Sequence, residues 1–226
     1  MFDGVIRALV LDFDGLILDT ERPVYESWRW AFAEHGHDLS LDEWASCIGT
    51  PHGWDPLESL AALTSVDQSV IERRRDVRDR LLAAEAVLPG VLDLLASAAD
   101  LGLPVGIASS SPLEWVGGHL ERLGLAERFG CVACFRDGVA GKPAPDLYAE
   151  AVASLGVQPD EAIAFEDSMH GVAAAKAAGL WCVAVPHALT AGLDLSAADL
   201  VVSSLADVSL PALLDQWSGP TRSVGA

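Results

Sequence analysis

Positive charge is scarce in this 226-residue chain, which carries 33 Asp and Glu residues against 14 Lys and Arg residues. The formal net charge at pH 7 is therefore −19. A strongly acidic protein repels the backbone of nucleic acids and the surface of anionic membranes, so we expect neither as a partner. A small phosphorylated metabolite can still bind, but only where a metal ion, Lys or Arg outweighs the acidic field locally.

Long apolar runs and a disulfide framework are also missing. The longest uncharged stretch, residues 177–193, contains Gly, Pro and His and is too short to span a bilayer. Charged residues interrupt every apolar run near the N-terminus, which is not typical of a secretory signal. The spacing of the four cysteines does not resemble that of a small secreted protein. We therefore expect a soluble cytoplasmic protein, with Cys47, Cys131, Cys134 and Cys182 reduced.

Cys131 and Cys134 form an isolated CxxC motif. Such a pair could be redox-active or could supply half of a zinc site, but no second ligand pair follows at a suitable spacing. The surrounding segment is apolar, where small buried cysteines are common. We interpret both residues as structural.

Short apolar segments alternate with helical patterns from residue 89 onward. Together with the first apolar segment, they predict strands at residues 5–12, 104–108, 130–135, 162–165, 181–185 and 200–202. This alternation is typical of an α/β protein, a Rossmann-like parallel sheet with helices on both faces. Residues 21–88 instead predict helices only, at 23–35, 41–47, 55–63 and 67–86. We interpret residues 21–88 as an inserted all-helical cap domain, and residues 1–20 and 89–226 as the core domain.

Polar residues suited to acid–base chemistry or metal binding follow the predicted strands. They are Asp12 and Asp14 after the first strand, Ser109, Ser110 and Ser111 after the second, Lys142 in the connection after the third, and Glu166 and Asp167 after the fourth. The carboxyl ends of parallel strands meet at one edge of the sheet, where ligands bind in open α/β folds. We therefore expect these side chains to converge.

This set of side chains suits metal-assisted phosphoryl transfer. A phosphate monoester is a dianion that repels an attacking carboxylate, and a hard cation such as Mg²⁺ removes that repulsion. Lys142 would neutralise further charge, and the Ser109 hydroxyl would hold a phosphoryl oxygen. One carboxylate can then act as the nucleophile, giving an aspartyl-phosphate, while its neighbour serves as general acid and then general base.

Taken singly, these residue types have ordinary structural explanations. An Asp after a strand often forms a turn, and serines before Pro112 could simply cap a helix. We interpret Asp146 as a first-turn acid of its helix and the arginine-rich segment 73–80 as a solvated helix face. For His170 the choice between packing and ligand contact stays open.

At these residues the chain resembles the haloacid dehalogenase superfamily, in the branch with a small helical cap after the first strand. The matching segments are Asp12–Thr20, Ala108–Ser110, Gly141–Asp146 and Phe165–Ser168, followed by Gly171 and Ala177–Gly179. The resemblance covers nearly the whole chain, and it rests on four motifs in the same order. It implies a Rossmann-like core, a mobile cap and Mg²⁺-dependent chemistry.

Carried over residue by residue, the resemblance implies Asp12 as nucleophile and metal ligand. It implies Asp14 as acid and base, which also binds the metal through its carbonyl. Ser109 and Lys142 would take the phosphoryl group, and Asp167, with Glu166, would complete the Mg²⁺ site. We assign substrate-binding roles to Gly15, Thr20, Arg22, Ser110 and His52.

Within the superfamily, the dehalogenases themselves lack the metal-binding carboxylate set. We therefore predict a phosphatase that hydrolyses a small phosphorylated metabolite, such as a sugar phosphate. The alternative is a sugar phosphomutase resembling β-phosphoglucomutase. Thr20 resembles the family's residue at the start of the hinge between core and cap. Those mutases use a His shortly after this Thr, where this chain has Val24, and basic cap residues where it has Ile48 and His52. A non-catalytic protein that binds phosphorylated metabolites is less favoured, because all four motifs are intact.

The cap is expected to determine which substrate binds, because the core motifs handle only the phosphoryl group. Arg22 could contact a carboxylate or a second phosphate of the substrate. Trp28 and Trp54 are further candidates, although packing within the cap is the favoured explanation for both. We expect a monomer or a weak dimer.

Overall fold

A computed structural model describes residues 5–45 and 55–217 of the chain. Within them, six strands form a single sheet, and every neighbouring pair of strands is parallel. The strands are β1 (Ala8–Leu11), β2 (Val105–Pro112), β3 (Cys131–Phe135), β4 (Ala162–Glu166), β5 (Trp181–Ala184) and β6 (Leu200–Val201). Their order in the sheet is β3-β2-β1-β4-β5-β6. The carboxyl ends of β1, β2 and β4 therefore lie side by side.

Nine α-helices accompany the sheet in the described ranges. They are α1 (Glu21–Glu34), α2 (Leu41–Ala45), α3 (Pro56–Leu63), α4 (Gln68–Ala84), α5 (Val91–Asp100), α6 (Leu113–Leu123), α7 (Asp146–Leu155), α8 (Met169–Ala177) and α9 (Leu210–Trp217). None of the helices in these ranges is both long and apolar enough to cross a membrane. Asp146 stands in the first turn of α7, as the sequence predicts.

The two faces of the sheet carry side chains of different size. On β1, Leu9 and Leu11 belong to one apolar cluster and Ala8 and Val10 to the other, because successive strand residues point to opposite faces. Large Leu, Ile, Phe and Val side chains pack with α5, α6 and α9 on the first face. Small Ala side chains on the second face leave room for α7 and α8, including the fully buried ring of Tyr148.

Helices α1 to α4 form a helical cap with an apolar cluster of its own. The cluster includes Tyr25, Phe32, Leu60 and Val70, all buried. The chain enters and leaves the cap through adjacent segments, since the Leu88 N–H donates to the Ile17 carbonyl at 2.9 Å. This architecture confirms the predicted fold class. The exact domain boundaries, residues 1–20 and 89–226 against 21–88, stay predictions.

Ser109, Ser110 and Ser111 do not cap the helix that follows them. Strand β2 continues through Ser109, Ser110 and Ser111 to Pro112, with an irregular register against β3. No side chain caps the N-terminus of α6, whose N-cap position is Pro112. The serines are therefore held by the sheet at the edge where the other polar residues lie.

The two cysteines of the CxxC motif lie on opposite faces of the sheet. Cys131 packs against the small-residue cluster and Cys134 belongs to the large-residue cluster. Both thiols are free, and burial raises the pKa of each, that of Cys134 to about 11. This is the environment of structural cysteines, as predicted. Cys47 lies outside the described residues.

Candidate active site

A cavity of about 800 Å³ opens at the carboxyl ends of β1, β2 and β4, between the sheet and the helical cap. Its floor, as we use the term, consists of Asp12, Asp14, Ser109, Lys142 and Asp167 from the core. Its cap wall consists of Glu21, Val24 and Trp44. Thr20, Ser110 and His170 also line the cavity. Most residues that the sequence predicts for the site therefore meet in one place.

Four predicted site residues, Gly15, Glu166, Arg22 and His52, are not among the described residues that line this cavity. Glu166 lies beneath the floor and is fully buried. Arg22 is 60% exposed and pairs with Asp19 and Glu85, both acids outside the cavity lining. His52, like Trp54 and Ile48, lies outside the described residues. Arg22 and His52 stay predictions as substrate-binding residues.

The acids of β1 and β4 form one buried cluster. Asp12, Glu166 and Asp167 each offer a carboxylate oxygen, and these oxygens lie within 4.8 Å of one another. The parallel pairing of β1 with β4 brings them together, because the Asp12 N–H donates to the Phe165 carbonyl at 3.0 Å. A donor set made only of carboxylate oxygens suits a hard divalent cation.

Lys142 is the cation of the floor. Its ammonium lies 2.7 Å from Asp12 Oδ1 and 2.5 Å from Glu166 Oε1. Burial lowers the pKa of Lys142, but the two carboxylates outweigh burial and raise it above the usual value. Burial and Glu166 raise the pKa of Asp12 well above its ordinary range, against the opposing effect of Lys142. A divalent cation beside these carboxylates would reduce their mutual repulsion.

The three acids differ in how many hydrogen bonds they already accept. Glu166 Oε1 accepts from Lys142 and from the Tyr148 hydroxyl at 2.7 Å, while its Oε2 accepts from the hydroxyl and the N–H of Ser168. A carboxylate has about four lone-pair sites, so Glu166 is saturated. Asp12 Oδ2 and Asp167 Oδ1 accept no hydrogen bond from the described residues. These two oxygens are the ones available to a metal ion.

Asp14 stands apart from the acid cluster and is fixed by four donors. Its Oδ1 accepts from the Thr20 hydroxyl at 2.8 Å and from the Trp115 indole at 2.9 Å. Its Oδ2 accepts from the hydroxyls of Ser111 at 2.7 Å and Ser109 at 3.3 Å. Thr20 directly precedes α1, so this contact ties the core to the start of the cap. Asp14 is thereby held on the cavity floor in one orientation.

The serines and glycines of the motifs position the charged residues. Ser110 Oγ accepts the Lys142 N–H at 3.1 Å and so anchors the lysine loop to β2. Gly15 has φ +76°, and a Cβ there would lie 2.1 Å from Asp167 Oδ2. A Cβ on Gly171 would lie 1.9 Å from the Glu166 carboxylate. No side chain fits at either glycine without displacing an acid of the cluster.

His187 was not predicted and is a close neighbour of the cluster. Its Nε2 lies 3.0 Å from Asp167 Oδ2, and its Nδ1 accepts the Leu189 N–H at 3.2 Å. Since Nδ1 is an acceptor, the ring carries its proton on Nε2 and donates it to Asp167. Burial lowers the pKa of His187, but the hydrogen bond and charge of Asp167 outweigh burial and raise it. His187 follows β5, so the strand-end argument applied to that strand could have identified it.

Tyr148, Trp115 and Glu21 were missed as well, and the sequence carries weaker signals for them. Tyr148 and Trp115 lie within helices, where an aromatic residue is most often a core residue. Glu21 is the first residue of α1, where an acid is favourable whatever else it does. Only the contacts of their side chains reveal these three residues.

A Rossmann-like sheet, a helical cap and a carboxylate–lysine cluster at the strand ends define a capped α/β protein with a site suited to a divalent cation. Comparison with known proteins identifies the family. The model of the haloacid dehalogenase-like hydrolase family matches residues 6–179. The chain belongs to this family, and it is an enzyme of the hydrolase class.

Relatives of the chain cover nearly its full length. "Putative phosphatase YhcW" of Bacillus subtilis is 42% identical over 93% of this chain and 97% of its own. β-Phosphoglucomutase of the same organism is 28% identical over 94% of this chain and 96% of its own. The crystal structure of a CbbY variant from Rhodobacter sphaeroides, in complex with xylulose-(1,5)-bisphosphate, has a TM-score of 0.73. It is 27% identical and covers 90% of this chain and 96% of that one.

Proposed function

We propose that this enzyme is a Mg²⁺-dependent phosphatase that hydrolyses a small phosphorylated metabolite, a sugar phosphate or a similar phosphomonoester, through an aspartyl-phosphate. The observation that carries the proposal is the convergence of Asp12, Glu166 and Asp167 within 4.8 Å, with Lys142 bridging two of them. The relative named as a phosphatase, the β-phosphoglucomutase and the CbbY variant in complex with a sugar bisphosphate support the same chemistry.

The free oxygens of Asp12 and Asp167 would hold the metal ion, with the Asp14 carbonyl as a further ligand. When bound, Mg²⁺ supplies positive charge that screens the nucleophile from the phosphoryl oxygens. Glu166 is a metal ligand in the sequence prediction, but its four hydrogen bonds favour a role in orienting Lys142 and Ser168. Lys142 and Ser109 bind the phosphoryl oxygens in this proposal.

Asp12 then attacks phosphorus, so that a bond forms between its carboxylate oxygen and phosphorus while the ester bond breaks. Asp14 gives its proton to the leaving oxygen, and the alcohol departs. Asp14 next takes a proton from water, whose oxygen attacks phosphorus and releases inorganic phosphate together with the Asp12 carboxylate.

The hydrogen bonds of Asp14 indicate which oxygen carries the proton. The Trp115 indole can only donate, so Asp14 Oδ1 must stay an acceptor. The hydroxyls near Oδ2, those of Ser111 and Ser109, can rotate and accept instead. We therefore place the transferable proton on Oδ2.

The test is release of p-nitrophenol from p-nitrophenyl phosphate by the purified chain. We expect turnover with Mg²⁺, none after chelation with EDTA, and a loss of roughly 10⁴-fold or more in Asp12→Asn, since the nucleophile is gone. A comparison of Mg²⁺ with Mn²⁺ and Zn²⁺ establishes which ion is used. Full activity in EDTA, or in Asp12→Asn, would refute the proposal.

A mutase would need to hand the phosphoryl group back to a sugar rather than to water. The position after the hinge that the resemblance assigns to a mutase His is Val24, which lines the cap wall. Water is therefore the acceptor that we propose. Incubation with a sugar 1-phosphate and a trace of the matching bisphosphate distinguishes the two reactions, because a mutase yields the 6-phosphate and a phosphatase yields free sugar. We also propose that the enzyme works in the cytoplasm as a monomer or weak dimer.

A further inference from the structure

Glu21 brings a carboxylate into the cavity from the cap wall. Its side chain makes no hydrogen bond and no ion pair with any described residue, although Asp12, Asp14 and Asp167 on the cavity floor each have at least one such partner. As the first residue of α1 it stabilises the helix, but a side chain pointing to solvent would do so equally well. Helix stability therefore does not explain why this carboxylate faces the cavity.

The surroundings of Glu21 are unfavourable to a negative charge. Burial, followed by the charges of Asp167 and Asp14, raises the pKa of Glu21 to about 7. A partly buried carboxylate that lacks donors costs folding free energy. A hydrogen-bond donor on a bound ligand would offset that cost, because no donor of the described chain reaches this carboxylate.

No Lys or Arg in the described part of the cavity lining is free to bind a second anionic group of a substrate. Lys142 is the only Lys or Arg among the lining residues of the described chain, and Asp12 and Glu166 already bind it. Arg22 pairs with Asp19 and Glu85 outside the lining. Arg78 lies 5.7 Å from the Trp115 ring centroid but pairs with Asp79. The sequence from residue 46 to 54 contains neither Lys nor Arg.

Part of the remaining lining is apolar. Val24 and Trp44 from the cap, and Trp115 and Phe135 from the core, line the same space. Aromatic faces of this kind pack well against the C–H face of a sugar ring or a polyol chain. A neutral leaving group with hydroxyls on one side and C–H groups on the other matches these walls.

We propose that Glu21 determines specificity, accepting a hydrogen bond from a hydroxyl of a neutral polyol or sugar leaving group and disfavouring one with a second anionic group. This inference rests on the proposed phosphatase function and names its substrate class.

The experiment compares matched substrates that differ by one anionic group. The pairs are fructose 6-phosphate with fructose 1,6-bisphosphate, and glycerol 3-phosphate with 3-phosphoglycerate. For the wild-type enzyme we expect kcat/KM to be about 10-fold or more higher for the singly phosphorylated, otherwise neutral member of each pair. A preference for the doubly anionic member in both pairs would overturn the inference.

Two substitutions then separate the roles of Glu21. In Glu21→Ala we expect kcat/KM for the better neutral substrate to fall by about 10- to 100-fold, as for a lost hydrogen bond to a charged group, mainly through KM. Glu21→Gln keeps an acceptor oxygen but no charge. We therefore expect the ratio of kcat/KM between the neutral and the doubly anionic member of each pair to decrease by about 10-fold. The control is Glu26→Ala on the same helix, because Glu26 pairs with Arg29 outside the cavity. This variant should leave the kcat/KM ratio of each substrate pair unchanged.

p-Nitrophenyl phosphate, which has no hydroxyl, separates this inference from the proposed function. If the wild type does not hydrolyse it, the phosphatase proposal itself fails. If the wild type hydrolyses it and Glu21→Ala lowers this activity as much as it lowers that on the neutral substrate, the specificity role of Glu21 is refuted. A thermal unfolding curve for each variant shows whether it is folded.

Discussion

The floor and the cap wall of the cavity are built in opposite ways. On the floor, Asp14 accepts four hydrogen bonds, and Lys142 is held between two acids. On the cap wall, the carboxylate of Glu21 has no partner among the described residues, and Val24 offers only apolar surface. Polar groups that bond to one another hold the reactive side chains in position before the substrate binds. A carboxylate without a partner on the cap wall can instead form its hydrogen bond with the substrate.

The floor depends most on Lys142. In Lys142→Met the carboxylates of Asp12 and Glu166 lose their shared buried cation, and we expect a loss of about 3–5 kcal/mol in the free energy of unfolding near neutral pH. Phosphatase activity should fall about 10³-fold or more, since a phosphoryl ligand is also removed. Urea unfolding and p-nitrophenol release measure the two effects.

The matched control is Lys176→Met, which removes the only other lysine of the chain. Lys176 pairs with Asp199 away from the cavity, at 2.6 Å. We expect this variant to lose stability but to keep its kcat. Equal losses of activity in the two variants would mean that Lys142 acts through folding alone.

His187 should position Asp167 for the metal ion. In His187→Ala we expect the affinity for Mn²⁺, measured by calorimetry on the folded protein, to fall about 10- to 100-fold, because partners of metal ligands typically contribute this much. His187→Gln retains an N–H donor and should recover part of the loss. Unchanged affinity in His187→Ala would show that Asp167 needs no such support.

Tyr148 should contribute to stability through Glu166. Tyr148→Phe removes the hydroxyl that donates to Glu166 Oε1 and leaves the ring in place. We expect the free energy of unfolding to fall by about 1.5–2 kcal/mol, the usual effect of losing a hydrogen bond to a charged group. The comparison is Tyr25→Phe, which removes a hydroxyl that donates to an uncharged acceptor, the Leu39 carbonyl inside the cap. We expect it to lower the free energy of unfolding by less.

Glu21 gives the smallest effect and the clearest pH signature. Its folded pKa of about 7 lies above the ordinary value of 4.5 for a Glu side chain, so the folded state binds more protons than the unfolded state between these values. The free energy of unfolding therefore decreases as pH rises from about 4.5 to about 7. In EDTA, Glu21→Gln should remove this contribution and be more stable than the wild type at pH 8, by on the order of 1 kcal/mol. If the difference in free energy of unfolding between Glu21→Gln and the wild type is the same at pH 5 and pH 8, Glu21 is fully solvated.

The same contrast explains how much the sequence could predict. Four residues of the floor lie at strand ends or in ordered motifs: Asp12, Asp14, Lys142 and Asp167. The predicted strands alone place them at the same edge of the sheet. The parallel sheet and the inserted helices followed from the alternation of apolar and polar segments. The residues of the floor were predictable because backbone topology alone places them.

The partners of these residues were not predictable in the same way. The contact of Tyr148 with Glu166 depends on small Ala side chains that let α7 approach the sheet, and the contact of His187 with Asp167 depends on a glycine at position 15. Arg22 is instructive for the opposite reason. Its position beside the hinge favoured a substrate contact, but Asp19 and Glu85 are close enough to bind it first. Contacts of this kind depend on packing across elements, which residue spacing does not encode.

The central claim is that acids from separate strands share one divalent cation above the floor. Anomalous diffraction from crystals soaked with Mn²⁺ tests this claim most directly. We predict one strong peak bonded to carboxylate oxygens of both Asp12 and Asp167, at about 2.1 Å from each, as expected for a hard cation of this size. A Mn²⁺-soaked crystal with no peak between these two residues would contradict it.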